Sequence, residues 1–80
     1  MTKDEILTKL TGIFQNELDN DEIVLGFETT AEDVEEWDSL SHIQLIVAVE
    51  KAFGVRFTSS EIQSWNNVGE MINSIISKID

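Results

Sequence analysis

The chain has no cysteine, so neither a disulfide nor a thiolate metal site can hold it together. Proline is absent and glycine occurs four times, which excludes a proline-rich spacer, a glycine-rich linker and a low-complexity tail. No apolar run approaches the length needed to cross a bilayer, and Met1 is followed by Thr2-Lys3-Asp4-Glu5 instead of a hydrophobic signal region. A cytoplasmic location is expected, and the lack of cysteine fits a reducing compartment. Basic residues are scarce: the formal net charge is −11, and no lysine or arginine occurs between Lys9 and Lys51. Such a surface repels nucleic acid and anionic membranes, so the expected partners are proteins with basic surfaces.

What is present is a well-patterned helical chain. Its 80 residues, 41% of them hydrophobic, suit one small domain spanning 1–80, expected to be a monomer. Thr2 and Glu5 have the spacing of a capping box, and Met1 and Ile6 stand where a hydrophobic staple closes a first turn. Ile6, Leu7, Leu10, Ile13, Phe14 and Leu18 then recur at three- and four-residue steps, which predicts a first helix ending near Asp19-Asn20-Asp21.

Residues 19–38 keep neither helical nor strand period. A connection of this length is uncommon unless it has a task or packs on itself. Ile23, Val24, Leu25, Phe27, Val34 and Trp37 suggest a loop pinned across the bundle, with a short helical turn near residues 31–34. The acids Glu32, Asp33, Glu35, Glu36 and Asp38 crowd its end.

A second helix opens at Ser39. It carries Leu40, Ile43, Leu45, Ile46, Val47, Val49, Ala52 and Phe53, apolar around most of its circumference, and stops at Gly54. Thr58 and Glu61 repeat the capping-box spacing ahead of a short helix from Ser59 to about Trp65, with Ile62 facing inward. An asparagine of the Asn66-Asn67 pair caps a last helix, where Val68, Met71, Ile72, Ile75, Ile76 and Ile79 form one stripe. The expected fold is all-α: an irregular four-helix bundle of three long helices and one short, with a long ordered loop between helices 1 and 2.

Ser39 sits where backbone N–H groups lack intrahelical partners and the helix dipole is positive, a place that favours an attached anion. Asp38 is able to cap the helix and leave the serine hydroxyl facing solvent. Asp38-Ser39-Leu40, ahead of an apolar helix that closes with Glu50-Lys51-Ala52-Phe53-Gly54, resembles the acyl carrier proteins over nearly the whole chain. The resemblance implies a covalent 4′-phosphopantetheine on Ser39, placed there from coenzyme A by a phosphopantetheinyl transferase. It implies a carrier and not an enzyme, with acyl groups held as thioesters for fatty-acid-like, polyketide-type or other specialised biosynthesis. Acyl-AMP ligases, ketosynthases and other acyl-processing enzymes are the partners it suggests, met through Asp38, Leu40 and Glu50. An acyl pocket is expected among Leu45, Ile46, Val49, Ile62, Met71 and Ile75. Ser41, Gln44, Lys51 and Phe57-Thr58 depart from the pattern of fatty-acid carriers, whereas Glu36-Trp37-Asp38-Ser39-Leu40 looks more like free-standing carriers of specialised pathways.

Other readings compete with this one. Aminoacyl, peptidyl and D-alanyl carriers share the fold, although peptidyl carriers usually place glycines before the serine. An unmodified acidic helical interaction module is the alternative from another class. His42, three residues after Ser39, raises a serine–histidine nucleophilic pair, disfavoured because no orienting group or oxyanion hole is evident. Asp19-Asn20-Asp21 is not an EF-hand, because Val24 occupies the position of the required glycine, and no metal ligands are assigned. Trp37 and Trp65 are expected to pack beside the bundle.

Overall fold

The computed structural model describes residues 1–79, with four helices in the order α1 (Lys3–Glu17), α2 (Ser39–Phe53), α3 (Ser59–Ser64) and α4 (Val68–Ile79). No strand occurs among the described residues, and α1 packs against both α2 and α4. Each helix start has a local chemical cause. Thr2 caps α1 and Thr58 caps α3, each with its glutamate returning the bond in a complete capping box. Asn67 Oδ1 accepts from Glu70 N at 3.0 Å at the start of α4. Helix ends are equally explicit: Gly54 takes the left-handed conformation (φ 66°) after α2, and Asp19 does the same after α1 (φ 52°).

The core runs through all of these elements. Ile6, Leu10 and Phe14 of α1 meet Leu45 and Val49 of α2 and Val68, Met71, Ile72 and Ile75 of α4. Ile76 and Ile79 are only partly buried, and α3 contributes no fully buried residue, with Ile62 half-buried. Burial of this apolar set is the main favourable term available to so small a chain.

Residues 19–38 form the long loop that periodicity suggested, but its inward residues are fewer. Ile23, Leu25, Val34 and Trp37 are buried, while Val24 is 82% exposed and Phe27 39%. Val24 points out because its neighbours on both sides point in, an alternation that an extended segment imposes. The expected helical turn near residues 31–34 is a single turn closed by Asp33 N to Thr30 O at 3.0 Å, with no helix. Hydrogen bonds fasten the loop, as its buried side chains do. Gln15 Nε2 donates to Ile23 O at 2.8 Å, and Asn20 Nδ2 donates to Glu36 Oε2 at 2.7 Å.

The strongest tie runs between the loop and α4. Val68 N donates to Thr29 O (2.9 Å) and Gly69 N to Phe27 O (2.7 Å), so two N–H groups at the helix start, which have no acceptor within the helix, find one in the loop. Gly69 permits this approach: a Cβ there would stand 2.8 Å from Phe27 O and 3.3 Å from Asn67 Oδ1. Gly12, by contrast, has open space around it in the middle of α1.

Two glycine substitutions should therefore act in opposite directions. Gly69→Ala should destabilise the fold by about 1–3 kcal/mol through the forced clash. Gly12→Ala should stabilise it by about 0.5–1 kcal/mol through helix propensity. Urea denaturation of both variants checks this, and a neutral Gly69→Ala would mean that the loop is not held against α4 as described.

Candidate functional site

The start of α2 is built around Asp38. Its backbone is extended, and its Oδ1 accepts from Leu40 N at 3.0 Å and Ser41 N at 2.9 Å. The N–H of Ser41 above all, with that of Leu40 assisting, holds the Asp38 carboxyl below its ordinary pKa. Ser41 returns the bond: its Oγ accepts from Asp38 N at 2.8 Å and donates to Glu36 O at 2.9 Å. Two neighbouring serines thus differ sharply. The Ser41 hydroxyl is tied to the backbone on both sides, whereas Ser39, first residue of α2, is exposed and its hydroxyl has no hydrogen-bond partner among the described residues.

The same geometry corrects one expectation. Helix-start N–H groups were to favour an anion on Ser39, but those of Leu40 and Ser41 are already taken by the Asp38 carboxylate. His42 N, the next donor, bonds to Asp38 O at 2.8 Å. A phosphate on Ser39 would have to compete with the Asp38 carboxylate for these donors.

Trp37 and His42 form the other half of the site. Trp37 is 8% exposed and stands edge-on to Phe14, with ring centroids 4.9 Å apart. Its Nε1–H donates to His42 Nδ1 at 3.0 Å. A neutral imidazole that accepts at Nδ1 carries its proton on Nε2. Burial of the ring lowers the His42 pKa from its ordinary value of 6.5. This arrangement also removes the nucleophilic pair from consideration. In a hydrolytic triad the orienting group accepts from Nδ1–H and leaves Nε2 as the base, whereas here the polarity is reversed and Nε2 holds a proton.

Ser39 opens onto a cleft of about 380 Å³. Asp38, Ser39 and His42 form one wall, with Trp37 and Ala31 of the loop beside them. The opposite wall is Trp65, Asn66 and Asn67, with Met71 between. Trp65 is itself anchored, edge-on to Phe57 at 4.9 Å and donating through Nε1–H to Ser74 Oγ at 2.8 Å. Both tryptophans therefore pack, and both also face the cleft.

Of the residues expected around an acyl pocket, Met71 alone borders this cleft. Leu45, Val49 and Ile75 are closed into the core at 0–1% exposure, Ile46 is 8% exposed and Ile62 is half-buried. Leu45, Val49 and Ile75 belong to the core, Ile46 and Ile62 lie outside it, and the cleft lies at the end where α2 and α4 begin. Among the residues expected to meet partners, Leu40 is 81% exposed. Glu50 is not presented in the same way: its Oε2 accepts from Phe57 N at 2.8 Å and ties the end of α2 to the chain reversal. The apolar circumference of α2 is not all buried: Leu40, Ile43 and Val47 form an exposed apolar stripe. Ser41, the Trp37–His42 bond and this stripe were not read from sequence as parts of a site. The D-x-x-S spacing of Asp38 and Ser41 was the available signal for the first.

The chain matches the family model described as "Phosphopantetheine attachment site" over residues 8–75. It is 34% identical to an acyl carrier protein of Thermosynechococcus vestitus over 80 residues, covering 99% of this chain and 98% of that protein. An acyl carrier protein of Petrotoga mobilis is 30% identical, with 100% of this chain and 94% of the relative covered. The solution structure of the holo acyl carrier protein from Geobacter metallireducens superposes with a TM-score of 0.86 at 42% identity, covering 91% of this chain and 84% of the other. The chain belongs to the acyl carrier proteins. As a member of this family it is a carrier and not a catalyst, and its cofactor is covalent 4′-phosphopantetheine. An unpartnered hydroxyl at the mouth of a cleft fits that group sterically.

The burial of His42 makes stability depend on pH. The folded-state pKa of His42 lies below 6.5, so as pH falls through that value the unfolded chain takes up a proton that the folded chain resists. Stability from this group is present above about pH 6.5 and declines below it. The depressed carboxyls of Glu5, Asp38 and Glu61 act only in a more acid window, below their ordinary values of 4.5, 3.8 and 4.5. Wild type minus His42→Gln, measured by denaturation at about pH 7.5 and about pH 5.5, should shrink toward acid. A difference that stays level would mean that His42 is not desolvated by the fold.

Proposed function

We propose that Ser39 is the attachment residue for 4′-phosphopantetheine, and that a phosphopantetheinyl transferase places the arm there from coenzyme A. The supporting observation is the contrast between the two serines: Ser39 has an exposed, unpartnered hydroxyl, and the Ser41 hydroxyl is occupied at 2.8 and 2.9 Å. When bound, the arm supplies a flexible tether and a terminal thiol able to hold an acyl group as a thioester. The chain's own residues then do three things. Asp38 fixes the start of α2 without engaging Ser39, the Trp37–Phe14 contact anchors that start to the core, and the cleft receives the root of the arm.

The partners are acyl-processing enzymes of a fatty-acid-like, polyketide-type or other specialised pathway, acting in the cytoplasm. Tethering raises the effective concentration of cargo at each of them. Their contact is made through the exposed stripe of Leu40, Ile43 and Val47, on a helix that follows a run of loop acids suited to a basic groove. Glu50 has less to offer such a groove than its place in the sequence suggests, because its carboxylate serves Phe57 N.

Incubation of the protein with coenzyme A and a broadly specific transferase tests the assignment by intact mass. Wild type should gain one phosphopantetheine and Ser39→Ala none. Ser41→Ala should still be modified, although losing about 0.5–2 kcal/mol of stability with its half of the capping box. Modification of folded Ser39→Ala, or none of wild type, would overturn the reading.

A further inference from the structure

A phosphodiester on Ser39 would enter surroundings poor in positive charge. No lysine or arginine lines the cleft, Asp38 contributes a carboxylate to the same wall, and the N–H groups of Leu40 and Ser41 are committed to that carboxylate. The two indole donors on the cleft are engaged as well. Trp37 Nε1–H is directed at His42, and Trp65 Nε1–H at Ser74. The side-chain amides of Asn66 and Asn67 are further donors, but they lie on the connection between α3 and α4 and not on the helix that carries Ser39.

His42 is the side-chain donor of the cleft that shares α2 with Ser39. It comes three residues after Ser39 on a helix, so the two Cβ atoms share one face at a separation of about 5–6 Å, and both side chains border the cleft. The indole proton of Trp37 occupies Nδ1 at 3.0 Å, which leaves Nε2–H as the outward donor. The imidazole is steadied by a tryptophan that is itself wedged against Phe14, so little rotamer entropy is lost when that donor meets an acceptor.

We propose that His42 is a positioning residue for the arm: its Nε2–H donates to a phosphodiester oxygen on Ser39 and sets the direction in which the arm leaves α2, into the cleft between Trp37 and Trp65. The proposal rests on the attachment at Ser39. A neutral donor suits this place because the site holds one carboxylate already, and a hydrogen bond from an imidazole N–H answers the phosphate without requiring a buried cation.

Asparagine and glutamine separate the two nitrogens of the ring. His42→Asn keeps an acceptor near the Nδ1 position for Trp37 but does not reach the phosphate, whereas His42→Gln carries an amide donor near the Nε2 position. Wild type and both variants are loaded with the arm, and intact mass, with Ser39→Ala as the control that stays unmodified, establishes the attachment separately from the magnetic-resonance measurements. In wild type, the His42 Nε2–H proton resonance should move downfield between the unloaded and loaded protein at one pH. Nuclear Overhauser contacts from the arm's geminal methyls to the Trp37 and Trp65 rings should be present in wild type and His42→Gln and lost in His42→Asn. An Nε2–H resonance unmoved by loading, contacts equal in all three proteins, or contacts kept by asparagine and lost by glutamine would each overturn the proposal. The wild-type comparison does not depend on either variant folding.

Discussion

One carboxylate decides how α2 begins. Asp38 accepts from two successive backbone N–H groups and so takes the capping duty that the adjacent serine would otherwise perform. A serine at such a position ordinarily turns its hydroxyl back onto the helix. Because Asp38 precedes it by one residue, Ser39 becomes the first helical residue instead of the cap, and its side chain points away from the donors. Ser41 closes the box from the other side and is occupied as a result. The chemistry of the site is therefore settled by which residue caps, more than by any property of Ser39 itself.

That helix start must also be held in place, and here the long loop matters. Trp37 immediately precedes Asp38 and is buried against Phe14 of α1, so the cap is anchored to the core one residue upstream. Farther back, the carbonyls of Phe27 and Thr29 receive the first N–H groups of α4. An irregular segment normally carries backbone polar groups that water must satisfy. In this chain the deficits of loop and helix cancel: α4 has donors without acceptors at its start, and the loop supplies acceptors. The cleft beside Ser39 lies where these two fastenings meet, bounded by Trp37 on one side and by the Asn66-Asn67 approach to α4 on the other.

Local chemistry was legible in the sequence wherever cause and effect lie within one turn. The Thr2–Glu5 and Thr58–Glu61 boxes, the glycine stop at Gly54 and the stripe on α4 all follow from spacing alone. Asp38–Ser41 is the same device with serine in place of glutamate, and so lacked the usual signature. Features that depend on what lies across the fold were not legible. Leu40, Ile43 and Val47 are as apolar as Leu45 and Val49, and only the placement of the other core elements separates exposed from buried. Glu50 reads as a surface acid until the chain reversal brings Phe57 N to it. The position of the cleft was missed for a related reason: hydropathy finds the side chains that fill the core, whereas an opening forms where two elements end and polar residues such as His42, Asn66 and Asn67 are tolerated.

Charge is divided along α2 in the sense its dipole favours. Its N-terminal end adjoins an acidic loop devoid of lysine and arginine. At its C-terminal end, Lys51 lies in the last turn and Lys9 reaches across from α1 to donate to Ala52 O at 3.1 Å, with its ammonium 4.8 Å from the centre of the Phe53 ring. The mutual repulsion of the loop acids costs stability, and the dipole offsets part of it by placing partial positive charge beside them. The consequence for a phosphate on Ser39 is unfavourable, since the helix field is already answered by Asp38 and no mobile cation of the chain stands nearby. A group that donates a hydrogen bond without adding charge then suits the site better than a lysine, which would be drawn into an ion pair with Asp38. His42, which accepts from Trp37 at Nδ1 and so presents Nε2–H, meets both conditions.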